Sequence, residues 1–436
     1  MVVLKFGGTS VGSAQRMKEV ANLVLTPEPK VVVLSAMSGT TDSLVEVANC
    51  LFEKKNEIAA NLVEGLRAKY LQIVEELFSS IEFKTKGKDL IKSHFDYLHS
   101  FTLDSFTLHE EKAILAQGEL LSTALFHLYL AEINTASVLL PALSFMRIDK
   151  DLEPDYFYIK ENLNRLLSVN EEVQLFITQG FICRNVYGEL DNLKRGGSDY
   201  SASLIGVALQ ANEVQIWTDI DGMHNNDPRV VDHTHPIKQL TFDEAAELAY
   251  FGAKILHPSS ILPAKKANIP VRLKSTLAPD AEGTLITAQS SGSGIKAVAA
   301  KDNITAIKIN SSRMLLAYGF LRKVFEIFEL YKTPIDMIST SEVAVSVTID
   351  DATHLEAIQI ELAKYGNVEV DQNQTIICIV GDFIRTDKGV ANQVFDALKK
   401  VPIRMISYGG SNHNISLLVD TDHKKMALQN LNTLFS

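Results

Sequence analysis

A lysine two residues ahead of a glycine pair is the first feature with chemical content: Lys5-Phe6-Gly7-Gly8-Thr9-Ser10 follows the apolar run Val2-Val3-Leu4. That order sets an ammonium beside backbone N–H groups free to face an anion. A helix starting soon afterwards adds its positive end. An ordinary strand–turn–helix joint also needs glycine for its dihedrals, so the segment alone leaves both readings open. A second glycine pair is flanked by opposite charges, Arg195-Gly196-Gly197-Ser198-Asp199. Arginine matches a carboxylate through two parallel hydrogen bonds, and a nearby acid can organise a lysine or a metal. A solvated hairpin turn fits the same residues. From Trp217-Thr218-Asp219 to Asn225-Asn226-Asp227-Pro228-Arg229 an apolar run gives way to a polar loop able to seat a nucleotide. Asp-Pro is also a common turn starter. Phe251-Gly252-Ala253-Lys254 places another lysine near a glycine. Glu119, in Gln117-Gly118-Glu119, reads in isolation as a charge at a helix N-terminus, where the dipole favours it. His233 and His235 lack ligand spacing and read as solvated.

Taken together these pieces suggest phosphoryl transfer: two glycine loops, lysines to offset phosphate charge and acids to position Mg²⁺. No histidine is placed as a general base. A carboxylate acceptor explains that, because with a pKa of about 4 it is already ionised at neutral pH. Its difficulty is approaching a negatively charged γ-phosphate, which lysine and magnesium relieve.

These residues need a scaffold. Apolar runs at Val2-Leu4 and Val31-Leu34, separated by an amphipathic stretch and each followed by a Gly/Ser/Thr loop, indicate a parallel α/β sheet. In such sheets ligands sit beyond the carboxyl ends of the strands. Residues 42–135 are mostly helical in period, and strand signals return at 172–178 and 214–217. The stretch Ser290-Ser291-Gly292-Ser293-Gly294 reads as a linker. Beyond it Pro334-Ile335-Asp336-Met337-Ile338-Ser339 recurs as Pro402-Ile403-Arg404-Met405-Ile406-Ser407, each copy after a Val-Phe pair and before an alternating strand. Two such units indicate paired small α+β modules. The expected division is 1–289, 295–369 and 370–436, with strand exchange between the last two, including 295–301, allowed for.

At 436 residues two or three domains are expected. The net charge of −11 excludes a nucleic-acid footprint, which needs clustered basic residues. The apolar runs are strand-sized and predict no membrane span. No basic segment precedes an apolar one at the N-terminus. Cys50, Cys183 and Cys378 are too scattered for a disulfide frame or zinc site. A cytoplasmic protein with reduced thiols is expected.

KFGGTSV at 5–11, LSAMSGTT at 34–41, QGE at 117–119, RGGSDYSA at 195–202, WTDIDGM at 217–223, NDPRVV at 226–231 and FGAKILHP at 251–258 resemble aspartate kinases, in that family's order. The repeated tail resembles the family's paired ACT domains. The resemblance implies an amino-acid kinase fold, an open and mainly parallel sheet with helices on both faces. It implies transfer of the ATP γ-phosphoryl group to the side-chain carboxylate of L-aspartate, giving 4-phospho-L-aspartate, the entry step to lysine, threonine and methionine. By that analogy Lys5 neutralises the transferring group, Gly7 and Gly8 supply backbone donors, and Asp199 organises the lysine and Mg²⁺. Arg195 holds the aspartate α-carboxylate and Glu119 its ammonium, with Ser35, Thr41 and Ser198 completing the pocket. Thr218, Asp219, Arg229 and Lys254 fall where the family binds ATP. His224-Asn225-Asn226 departs from the tyrosine and threonines of many relatives, so His224 replaces an aromatic contact to the nucleotide. Met314, Phe320, Leu321, Asp336, Ser339, Thr340, Ser341 and Glu342 resemble the effector pocket of lysine-inhibited relatives, although the acids also read as plain loop charges. Arg404 in the second copy argues against the same ligand there. ACT pairing implies a homodimer. Two other readings are a same-fold kinase acting on glutamate, acetylglutamate or a nucleotide, and a silent amino-acid sensor.

Overall fold

The run VVLKF forms a strand through Lys5 to Phe6, so the lysine sits inside the strand and the glycine pair follows it directly. The structure, a computed structural model, describes residues 1–103, 106–193, 196–252, 256–290, 292, 294–311, 318–382 and 389–435. Two compact units divide the chain: Met1–Met223 with Ile255–Ala288, and His224–Lys254 with Gln289–Ser436.

The first unit begins β1 (Val2–Phe6), α1 (Ala14–Val24), β2 (Lys30–Leu34), α2 (Thr40–Phe52), α3 (Asn56–Leu77), α4 (Ile81–Ser100) and α5 (Leu108–Glu132). It continues with β3 (Val138–Leu140), α6 (Tyr156–Ser168), β4 (Leu175–Gln179), β5 (Ile182–Arg184), β6 (Leu190–Asn192), α7 (Gly197–Leu209) and β7 (Val214–Thr218). The second unit contributes β8 (Gln239–Thr241) and α8 (Phe242–Tyr250) before the first resumes with α9 (Leu262–Ala267), β9 (Val271–Ser275) and β10 (Thr284–Thr287).

Strands of the first unit run in the order β3-β4-β2-β1-β7-β9-β10, parallel except for β10. This is the mainly parallel sheet expected. Side chains alternate across a strand. Leu4 and Phe6 of β1 join Val32, Leu34, Leu175 and Ile177 in one core with the apolar stripes of α1 to α5. Val3 and Lys5 therefore face the opposite side, where α7 crosses β1. Small residues on α7 (Ser201, Ala202, Ser203, Gly206) let it lie close to the sheet, all of them buried or nearly so. That close approach brings the first turn of α7 to the lysine.

α5 is long and apolar enough, by length and composition, to cross a membrane, contrary to the expectation of strand-sized runs only. Its apolar window is 67% buried within the protein, which is what a core helix does.

In the second unit the chain continues through β11 (Gly294–Asn310), α10 (Phe320–Leu330), β12 (Ile338–Thr340), β13 (Ala344–Ile349) and α11 (Leu355–Ala363). It ends with β14 (Asn367–Asp382), α12 (Val390–Ala397), β15 (Ile403–Tyr408), β16 (Asn414–Asp420) and α13 (Lys424–Asn432). One antiparallel sheet runs β12-β13-β11-β14-β16-β15, and the long β11 and β14 pair along almost their whole length. Ile307, Ile309, Val345 and Val347 pack with Val324, Phe328 and Ile358 at one end. Ile377, Ile379, Ile415 and Leu417 pack with Val394 and Leu428 at the other. The repeat extends to the backbone: Asn303 and Asn373, 70 residues apart, both take left-handed φ near +60° and +56°.

Candidate active site

The carboxyl ends of β1, β2 and β7 meet where Lys5 leaves the sheet. Gly7 N–H donates to Trp217 O at 3.3 Å and Ser35 N–H to Phe6 O at 3.2 Å. Gly8 follows at a point of close approach. A Cβ there would lie 2.8 Å from Ala36 O, so only glycine lets the two loops touch. Ser38 N–H then donates to Gly8 O at 3.1 Å, fastening the β1 turn to the β2 loop.

Lys5 folds back over its own turn; its Nζ sits 3.4 Å from where a Gly7 Cβ would be. The ammonium lies 2.7 Å from Asp199 Oδ1, with 12% and 15% of the two side chains exposed. The pair is a charge contact rather than an aligned hydrogen bond, so the ammonium keeps donors for another anion. Asp199 stands in the first turn of α7, whose N-cap Gly196 has φ +68°. A side chain at Gly196 would also meet Ser260 Cβ at 2.5 Å. Both constraints require glycine.

Beside this pair is a cleft of about 280 Å³ lined in part by Gly8, Ser35, Thr41, Glu119, Phe181 and Ser198. Ser35 Oγ donates to Ser198 Oγ at 2.9 Å, joining β2's end to α7. Glu119 is only 4% exposed, in the middle of α5 and not at its start. Its isolated reading as a helix-end charge is therefore overturned: the acid is turned inward. Burial pushes its carboxyl up to about 7, against a hydrogen bond from the Ala36 N–H. Among the described residues its Oε2 has no partner. Such a group calls for a cationic or hydrogen-bonding ligand. The cleft thus offers an anion grip at the Lys5 turn and a cation grip at Glu119. A small zwitterion presenting a further carboxylate to a phosphoryl group satisfies both.

Hard carboxylate oxygen at Asp199 suits magnesium. Among the described residues no group of three or more His, Cys, Asp or Glu could cage a metal by itself. That fits an ion held mainly by nucleotide phosphates with one protein carboxylate.

Comparison with known proteins decides the family. Residues 1–275 match the amino acid kinase family and residues 377–435 an ACT domain. The chain is 35% identical to the lysine-sensitive aspartokinase 3 of Escherichia coli over 99% of this chain and 98% of that one. It is 34% identical to the chloroplastic aspartokinase 2 of Arabidopsis thaliana, covering 99% and 84%. The chain belongs to the aspartokinase family. Crystal structures of E. coli aspartokinase III superpose over both full chains: the lysine and aspartate complex (T-state) with TM-score 0.84 at 33% identity, the aspartate and ADP complex (R-state) with 0.81 at 34%.

Within this aspartokinase the structure brings together Lys5, Gly7, Gly8, Ser35, Thr41, Glu119, Ser198 and Asp199. Arg195, Lys254 and Met314 lie outside the described residues. Thr218 caps β7, its hydroxyl donating to Asp219 Oδ1 at 3.0 Å. His224 and Arg229 belong to the second unit. There His224 Nδ1 lies 2.9 Å from Thr234 Oγ1, and Arg229 pairs with Asp227 through two hydrogen bonds of 2.9 Å. Phe181 was not foreseen. It lines the cleft with a left-handed φ of +63°, a conformation that costs a non-glycine residue energy and gave no signal in the sequence.

The regulatory unit holds the other predicted group. Asp336, its side chain fully buried, accepts from Lys301 Nζ and Tyr250 Oη at 2.8 Å each. Burial opposes the Lys301 charge, but Asp336 and Asp350 hold its pKa above the ordinary lysine value. Ser339, Thr340, Ser341 and Glu342 lie exposed on and beyond β12. Leu321 is partly exposed, whereas Phe320 is spent in the core.

Proposed function

We propose that this chain phosphorylates the side-chain carboxylate of L-aspartate with ATP. The observation that carries the reading is the Lys5–Asp199 pair on the glycine turn beside a cleft backed by buried Glu119. Aspartate lies with its ammonium toward Glu119 and its α-carboxylate toward Arg195, and Ser35, Thr41 and Ser198 orient it. One side-chain oxygen then attacks the γ-phosphorus. The new O–P bond forms as the bond to the ADP oxygen breaks, and no proton needs removing. Lys5 holds both anions together with the Gly8 backbone N–H; the Gly7 N–H, expected to do the same, is spent on Trp217 O, and donors fixed before reaction cost no reorganisation. Magnesium arriving with ATP would supply further positive charge next to Asp199. Thr218, Asp219, His224, Arg229 and Lys254 bind the nucleotide.

The lysine complex of the E. coli relative supports a further proposal, that lysine inhibits this enzyme through Asp336, Ser339 to Glu342, Met314 and Leu321. Expected alongside are a homodimer paired through ACT domains at about residues 295–369 and 370–436, and a cytoplasmic location. The test is hydroxylamine trapping of acyl phosphate with Mg-ATP and aspartate, glutamate or acetylglutamate, titrated with lysine, threonine and methionine. Hydroxamate with aspartate alone, suppressed by lysine, is expected. Hydroxamate with another acceptor, or none with aspartate, overturns the reading.

A further inference from the structure

The loop 35–41 supplies most of one wall of the cleft, yet it belongs to no strand and enters α2 only at Thr40. Something must fix it. On the phosphate side Gly8 O receives the Ser38 N–H. At the other end the N-cap of α2 is Gly39, with φ +78° and no side-chain cap, so the turn lacks the usual local lock.

The lock comes from behind, from two consecutive residues of α3. Lys69 Nζ donates to Ser38 O at 3.1 Å. The Tyr70 hydroxyl lies 2.9 Å from Thr40 Oγ1, and both residues are fully buried. Tyr70 is itself wedged against Phe95 of α4, ring centroids 5.8 Å apart. Burial raises its hydroxyl pKa, so the proton stays in place for this contact. Neither side chain lines the cleft. Lys69 touches Ser38, which lines the cleft, and Tyr70 touches Thr40, which lies between two lining residues, Gly39 and Thr41; a loop held at Ser38 and Thr40 cannot turn Thr41 or its backbone donors away.

We propose that Lys69 and Tyr70 are positioning residues for the phosphoryl acceptor, acting through Ser38 and Thr40. The helical pair α3–α4 thereby sets amino-acid affinity, not only stability. This rests on the cleft being the aspartate site.

Initial rates of the full-length enzyme, varying aspartate and ATP separately, test it. Tyr70→Phe should raise the aspartate KM about fivefold, the scale of one buried hydrogen bond, with kcat and ATP KM changed less than about twofold. Thr40→Val should do the same, and the double variant should be no worse than either single one. Lys69→Met on the exposed face should raise the aspartate KM about threefold, and Lys69→Arg should restore it. An unchanged aspartate KM in Lys69→Met and Tyr70→Phe overturns the proposal. So do equal changes in both KM values with a fallen melting point, which mark a structural role. If the unsubstituted enzyme makes no acyl phosphate from aspartate, the cleft assignment itself fails, and this is seen before any variant is compared.

Discussion

Glu119 places a titratable acid where binding needs a fixed negative charge. With its carboxyl near 7 in the free cleft, lowering pH neutralises it and removes the partner for the substrate ammonium. The aspartate KM should therefore rise as pH falls from about 8 to about 6, and Glu119→Gln should give a high KM without that slope. A flat profile in the unsubstituted enzyme contradicts the assignment. The sign for stability is the reverse. A carboxyl raised on folding contributes fully below its unfolded value and loses that contribution as pH rises through about 7. Glu119→Gln should thus raise the melting point more at about pH 8.5 than at about pH 5, function having been gained at the expense of stability. Lys5 and Asp199 were legible because their roles follow from types and spacing beside glycine. Glu119 alone was not, since its burial is created by α5 packing against the 35–41 loop, a contact no local window contains. Phe181 gave no signal, because a left-handed phenylalanine is a product of its surroundings.

At the scale of elements, the alternation in β1 decides the site. Leu4 and Phe6 enter the helical core and leave Lys5 on the face that α7 covers, where Asp199 meets it. The two loops beyond β1 and β2 then interlock at Gly8. Gly8→Ala should cost about 1–3 kcal/mol by forcing Ala36 O away. It should lower kcat/KM for aspartate by at least about tenfold, because the displaced loop carries Ser35 and Thr41. Wild-type kinetics and melting point in Gly8→Ala contradict the interlock. The parallel β-α-β order was readable from apolar runs and loop composition. Strand ends were less so: β1 runs on through Lys5 and Phe6, and β4 begins only at Leu175, because pairing with neighbours rather than local propensity ends a strand.

Over the whole molecule, the repeated tail folds into one sheet whose two halves carry inverted charge. Lys301 pairs with Asp336 in the first copy. At the equivalent places of the second, Asp371 pairs with Arg404. Position 336 thus offers a lysine ammonium an acid where the equivalent position 404 offers an arginine, and Asp336→Asn should raise the half-inhibiting lysine concentration by about tenfold, the scale of one charged hydrogen bond. Inhibition undiminished in that variant removes Asp336 from the effector site. The repeat itself was visible in the sequence. That residues 224–254 pack with the tail was not, since Glu244 meets Lys296, and Glu247 meets Asn414, only across long separations. The central claim concerns which oxygen receives the phosphoryl group. Borohydride reduction of the product formed from Mg-ATP and L-aspartate reads that directly, because an acyl phosphate is reduced to an alcohol at the carbon that carried it. Homoserine is the predicted product. Its isomer reduced at the α-carboxyl, or unreduced aspartate after ATP turnover, would contradict the account.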